Sequence, residues 1–214
     1  MAGASQSRSV KTVVLLVAVL GLAGGIVAGK LWQQRASAPV EIAGFVYPQP
    51  KPISPFALIR QDGSSFGPDA LEGKWTFMYF GYTFCPDACP TTLVELNRVA
   101  KLLAGTGPDA DTQFVFVSVD PRRDTPERLA EYVPYFNRDF IGVTGSDDAL
   151  RALTGELGVI YVFPEGTQGD TYPVDHSSNV LLLNPDGRLH AVFTAPQKAQ
   201  EVAGDFRKIR ERWH

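Results

Sequence analysis

Cysteine is scarce: the 214 residues contain two, with three histidines and two methionines. That excludes a multi-bridge disulfide scaffold and a four-cysteine zinc motif. A charge excess of either sign is also lacking. Twenty Lys and Arg stand against 23 Asp and Glu, a formal net charge of -3. No long basic run or interleaved basic and aromatic patch occurs, so nucleic acid is not expected as a partner. No internal repeat is visible, which removes repeat architectures. Sixteen prolines and 20 glycines suit a loop-rich mixed α/β domain better than a helical bundle.

One uncharged run is present, residues 12–29, between Arg8 and Lys11 on one side and Lys30 and Trp32 on the other. As a helix it would span roughly 27 Å, close to the hydrocarbon thickness of a bilayer. A cleaved signal peptide is the alternative. Its nearest small-residue site, Ala36-Ser37-Ala38, lies well beyond the apolar run and is followed by Pro39. The expected organisation is therefore a short cytoplasmic N-terminus at 1–11, a single transmembrane anchor at 12–32, a Pro-rich tether at 33–55 and one folded domain at 56–214. The free amino terminus tips the balance of positive charge towards N-terminus inside, which places the domain outside the cytoplasm. The short start, without a long Arg- and Ser-rich presequence, favours a bacterial inner membrane with the domain in the periplasm.

Within the domain, residues 56–60 and 64–66 around Asp62-Gly63 read as an N-terminal hairpin, and 75–80 as an aromatic-rich strand. Leu93, Leu96, Ala100 and Leu103 recur at helical spacing behind it. Residues 114–119 read as a buried strand, 127–136 as a helix, 140–143 as a strand, 147–157 as a helix and 159–163 as a strand. Residues 180–183 and 189–193 pair across Asn184-Pro185-Asp186-Gly187. Ala199, Val202, Phe206, Ile209 and Trp213 form the apolar face of a closing helix. Strands alternating with helices give an α/β fold in which the segment after residue 80 sits at the carboxyl end of a strand, where α/β sheets place ligands.

That segment holds both cysteines, Cys85 and Cys89. With a helix starting at Pro86, Cys85 stands at its cap and Cys89 about one turn on. Three uses compete. A purely structural disulfide closing five residues contributes only about 2 kcal/mol on the chain-entropy model, a poor site for a staple. A redox pair fits, because a helix N-terminus stabilises a thiolate. So does a soft metal site for Cu(I) or zinc, decided by what the fold brings near. Asp87, between the cysteines, is expected on the first helical turn, its carboxylate disfavouring the free thiolates and supporting a bound cation. Of the histidines, His214 is the last residue and His190 lies in a hairpin strand, so both are expected at the surface or in packing. His176, after Pro173-Val174-Asp175, is expected on a turn where a loop carries function.

Gly81-Tyr82-Thr83-Phe84-Cys85-Pro86-Asp87-Ala88-Cys89-Pro90, Ser118-Val119-Asp120-Pro121-Arg122-Arg123-Asp124-Thr125-Pro126 and Val174-Asp175-His176-Ser177 together resemble the Sco/SenC family of copper proteins, over about residues 50 to 212. The resemblance implies a thioredoxin-like fold in which the loop before a central strand lies beside the cysteine loop. It implies copper as cofactor, as Cu(I), Cu(II) or both, with Cys85, Cys89 and His176 as ligands. It also implies a role in delivering copper to, or reducing the cysteines of, the binuclear copper centre in subunit II of cytochrome c oxidase.

The chemistry of the residues agrees. Two thiolates and one imidazole suit copper, whereas structural zinc normally takes four ligands. Asp175 is expected to orient the imidazole, Asp120 and Asp124 to cap the following helix, and Tyr82 and Phe84 to pack in the core or rim. The leading expectation is a membrane-tethered, non-enzymatic copper metallochaperone. A thiol-disulfide reductase using Cys85 and Cys89 as its redox pair is the main alternative. A copper or redox sensor is a further one, and a peroxiredoxin-type peroxidase lacks its threonine at Tyr82 or Pro86.

Overall fold

A computed structural model describes residues 16–17, 19–27, 29–30, 42–107, 110–164 and 172–213. In chain order its strands are β1 (Gly44–Lys51), β2 (Leu58–Arg60), β3 (Ser65–Phe66), β4 (Trp75–Gly81), β5 (Thr112–Ser118), β6 (Ile141–Thr144), β7 (Tyr161–Val162), β8 (Asp175–His176), β9 (Val180–Leu183) and β10 (Leu189–Phe193). The helices behind them are α1 (Ala88–Leu103), α2 (Pro126–Phe136), α3 (Asp147–Leu157) and α4 (Ala199–Glu211). Eight strands form one sheet in the order β1-β10-β9-β4-β5-β6-β2-β3, and β7 pairs with β8 apart from it. β4 and β6 flank β5 in parallel, while β9 joins β4 antiparallel. This is the mixed α/β, thioredoxin-like arrangement that the sequence leads one to expect, with the hairpin β2–β3 at one edge.

β4 is buried at all seven residues, because helices cover both of its faces. Alternation along the strand sends Phe77 and Tyr79 towards α1, α2 and α4, and Met78 and Phe80 towards α3. Phe77 stacks on Phe114 at 4.9 Å and meets Phe206 edge-on at 5.0 Å, so truncating it should cost about 3–5 kcal/mol. Local chemistry sets the helix ends. Thr125 and Ser146 accept amide hydrogens from Arg128 and Ala149 at the starts of α2 and α3, and Gly158 ends α3 at φ 70°.

Several expected boundaries shift. The tether at 33–55 is partly sheet: β1 is an edge strand on β10, with a register shift between Val46 and Lys51. Pro48 and Pro50 fall inside that shift, and an edge strand tolerates prolines because they have no ladder hydrogen to donate. α1 starts at Ala88, two residues later than expected, with Asp87 as its N-cap residue. The strand expected at 159–163 is only β7, and His176 lies in the short strand β8 instead of a turn.

The described residues from 42 to 213 form one compact unit, and those at 16–30 belong to another. In the N-terminal unit, residues 19–27 are helical. No helix among the described residues is long and apolar enough to cross a membrane. Residues 1–11, and 12–15, 18, 28 and 31–32 of the expected anchor, lie outside the described residues, as does His214.

Candidate metal centre

β4 ends at Gly81, and its chain continues through Tyr82, Thr83 and Phe84 to Cys85, just before α1. Cys89 is the second residue of α1 and is fully buried, whereas Cys85 is half-buried. The first amides of a helix have no partner within it. Here the Cys89 amide donates to Cys85 Sγ at 3.4 Å, so the first sulfur caps the helix that carries the second. Antiparallel pairing of β8 with β7, Tyr161 opposite His176, brings the imidazole over the same spot. His176 Nε2 lies 3.2 Å from Cys89 Sγ. The ligand atoms of Cys85, Cys89 and His176 all lie within 4.8 Å of one another, and no other such group of His, Cys, Asp or Glu occurs among the described residues.

The two sulfurs differ in acidity. Hydrogen bonding from Cys89 holds the Cys85 thiol down at about 3, against burial, with further help from His176 and from the Asp87 and Cys89 amides. Cys89 is pushed well above the ordinary thiol range, by its interaction with Cys85 and by burial. Burial works against the His176 imidazolium, but bonds to Cys85 and to the Ser177 carbonyl outweigh it and raise the pKa. In the metal-free protein one thiolate, one buried thiol and a basic imidazole face each other.

The neighbouring acids depart from expectation. His176 Nδ1 is bonded to the Ser177 carbonyl at 3.1 Å, not to Asp175. Adjacent strand residues point to opposite faces, which leaves Asp175 exposed and acting on the imidazole only through its charge. Asp87 is exposed at the N-cap of α1, with no capping bond from its side chain. Its amide hydrogen helps to hold the Cys85 thiol low. Tyr82 is buried and meets His176 edge-on at 5.8 Å. Phe84 is half-exposed beside the guanidinium groups of Arg123 and Arg128. His190 packs edge-on against Trp75 and Trp213, the packing role expected for it.

Asp120 and Asp124 do not cap α2, which Thr125 caps. Both are fully buried. Asp124 accepts hydrogen bonds from the Thr83 amide at 2.8 Å, the Thr83 hydroxyl at 2.6 Å and the Ser118 hydroxyl at 2.5 Å. It thereby ties the loop before Cys85 to the end of β5. Asp120 pairs with Arg123 Nε at 2.5 Å and accepts from the Tyr172 hydroxyl at 2.8 Å, while Arg123 Nη1 donates to the Tyr172 carbonyl. That network fixes the chain shortly before β8. Gln197 bonds the Ser178 and Phe193 carbonyls and Thr92 of α1, joining the histidine loop to the cysteine helix. Sequence reasoning missed Gln197 and the buried role of Asp124. The quoted segment around Ser118 and Asp124 carried the signal, but a helix-start reading absorbed it.

A thioredoxin-like fold carrying two thiols and an imidazole at the carboxyl end of its central strand defines a soft three-donor metal centre that can also act as a dithiol. The SCO1/SenC family model matches residues 47–211, and the chain belongs to that family. An SCO2-like protein of Rickettsia prowazekii is 37% identical over 154 residues, covering 72% of this chain and 74% of its own. A structure of Arabidopsis thaliana ScoI with copper bound superposes with a TM-score of 0.67 at 36% identity, covering 74% of this chain and 98% of that one. Yeast Sco1 with copper bound gives a TM-score of 0.72 at 28% identity, over 77% of this chain and 91% of that one.

Proposed function

We propose that this chain is a copper metallochaperone that binds one copper ion through Cys85, Cys89 and His176. It delivers the ion to the binuclear copper centre of cytochrome c oxidase subunit II, or to a similar copper-site protein. The observation that carries the reading is the convergence of two sulfurs and one imidazole nitrogen within 4.8 Å. The donor set is soft and open on one side, since Cys85 is half-buried. Three donors hold Cu(I) without closing the shell that structural zinc demands, and an incoming thiolate of the target has a place to attack. The copper-bound state of the two Sco structures supports the same cargo.

The apolar run at 12–29 supports a membrane-tethered form, with a single span in a bacterial inner membrane and residues 56–214 in the periplasm. A reporter fused after His214 tests that topology. Activity confined to the cytoplasm, or a mature chain starting near Pro39 and free of membranes, contradicts it.

A second reading rests on the unequal thiols. The Cys85 thiolate attacks a target disulfide and forms a mixed disulfide. Cys89 then loses its proton and displaces the target thiolate, leaving a Cys85–Cys89 disulfide here and a dithiol on the target. His176→Ala separates the two readings. Chaperone function fails in that variant, whereas stoichiometric reduction of a target disulfide persists. Full copper delivery by His176→Ala overturns the three-ligand chaperone.

A further inference from the structure

Tyr79 lies in β4 two residues before Gly81, on the face towards which α1 carries Cys89. It is fully buried and its ring meets that of His176 edge-on, centroids 6.2 Å apart. Its ring edge and the Cys89 sulfur both border Gly81, and its hydroxyl faces that sulfur, with the Thr92 hydroxyl of α1 as its other near neighbour. Yet the Tyr79 hydroxyl has no hydrogen-bond partner among the described residues. The aromatic residues packed on this face include Phe77, Phe114, Phe116, Phe193 and Phe206, and also Tyr132, whose buried hydroxyl likewise has no partner among the described residues but does not face a cysteine sulfur. A phenylalanine at 79 would fill the same space without burying an unsatisfied hydroxyl, which destabilises a fold. Packing therefore does not account for the oxygen.

The sulfur opposite it explains the oxygen. A neutral thiol is a weak acceptor. A thiolate held by a metal ion keeps lone pairs that point away from the metal, and it accepts strongly from a nearby hydroxyl. We propose that Tyr79 is a positioning residue of the copper site, its hydroxyl donating a hydrogen bond to the Cys89 sulfur when that sulfur holds copper. The inference rests on the copper reading above. Such a bond draws electron density from the sulfur, weakens its donation to Cu(II) more than to Cu(I), and raises the reduction potential of the bound ion, since bonds to a ligating sulfur tune a copper centre. It also orients Cys89 while the half-buried Cys85 stays open to the target.

Tyr79→Phe in the intact chain tests this, because it removes one oxygen and nothing else. Copper is titrated into wild type and variant against a chromophoric chelator, the sulfur-to-Cu(II) charge-transfer band is recorded, and the metal-free proteins are melted. The variant should bind Cu(I), the state the bond favours, about three- to tenfold more weakly, the range of one hydrogen bond. Its band should move to lower energy, and its metal-free melting temperature should be unchanged or higher. An identical band and affinity overturn the inference and leave the copper reading intact. A lower metal-free melting temperature gives the hydroxyl a structural partner and overturns it as well. A wild-type chain that takes up no copper overturns the copper reading, and this inference with it.

Discussion

The Cys89 sulfur occupies space that exists only because residue 81 is glycine. A Cβ built on Gly81 would stand 2.5 Å from Cys89 Sγ and 3.0 Å from the Phe116 ring. The last residue of the central strand and the second residue of the cysteine helix are thus fitted to each other. Gly81→Ala should push the sulfur away from His176. The stability cost expected for overpacking is about 1–3 kcal/mol, measured by chemical denaturation of the metal-free protein. Copper affinity should fall by more than tenfold. Wild-type affinity in Gly81→Ala would show that the sulfur has another place to go.

Asp124 should matter more than its distance in sequence from the cysteines implies. Asp124→Ala leaves the Thr83 amide, the Thr83 hydroxyl and the Ser118 hydroxyl without their shared acceptor. Each buried donor left unpaired costs about 1–3 kcal/mol. The loop leading to Cys85 should loosen, seen as faster amide exchange at Thr83 and Phe84 alongside a lower denaturation midpoint. Unchanged exchange there would remove Asp124 from the account of the site.

The thiols should react in order. In the reduced, metal-free protein Cys85 is half-buried and lowered, whereas Cys89 is buried and raised. A neutral alkylating reagent at limiting amount should label Cys85 first, at a rate nearly independent of pH from about 5 to 7. Peptide mapping reads the site. Labelling of Cys89 first, or a rate that climbs tenfold per unit across that range as for an ordinary thiol, would contradict the assignment.

The same shift sets a pH dependence of stability. The folded chain has released the Cys85 proton where the unfolded chain, with a thiol near about 8.5, still holds it. The unfolded state therefore binds more protons, and stability rises with pH between the folded and unfolded values. Reduced, metal-free wild type should gain stability from acid upwards, a rise opposed above about pH 6.5 by the raised His176, whose folded state keeps a proton that the unfolded state has lost, while Cys85 drives it as far as about pH 8.5. The Cys85 contribution is complete above that value and lost as pH falls through the acid range. Above that value the raised Cys89 acts with the opposite sign, since there the folded state keeps a proton that the unfolded state has lost. Cys85→Ser should flatten the rising limb. An equal slope in wild type and variant would show that Cys85 is not ionised in the folded state.

Much of this was legible in the sequence for identifiable reasons. The helix at 147–157 and the strands at 180–183 and 189–193 were expected with the bounds observed, because Ser146, Gly158 and Asn184-Pro185-Asp186-Gly187 punctuate strongly patterned runs. The grouping of Cys85, Cys89 and His176, which the structure brings within 4.8 Å of one another, was legible because few residues of those types exist and the three segments around them match one family. β1 was not, since Pro48 and Pro50 suppress a strand reading and only pairing with distant β10 shows it to be sheet. The roles of Gly81 and Tyr79 were hidden as well. Both depend on where the Cys89 sulfur lies in space, and spacing along the chain does not report that.

The central claim is that Cys85, Cys89 and His176 together hold one copper ion. The most direct measurement is copper bound per chain after equilibration with a competing chelator, in wild type and in Cys85→Ser, Cys89→Ser and His176→Ala, with circular dichroism confirming that each is folded. The account predicts one copper per wild-type chain and severe loss in all three variants. Wild-type binding in any two of the variants would contradict the site. Loss in both cysteine variants but not in His176→Ala would remove the histidine and leave a dithiol site without the third donor proposed for it.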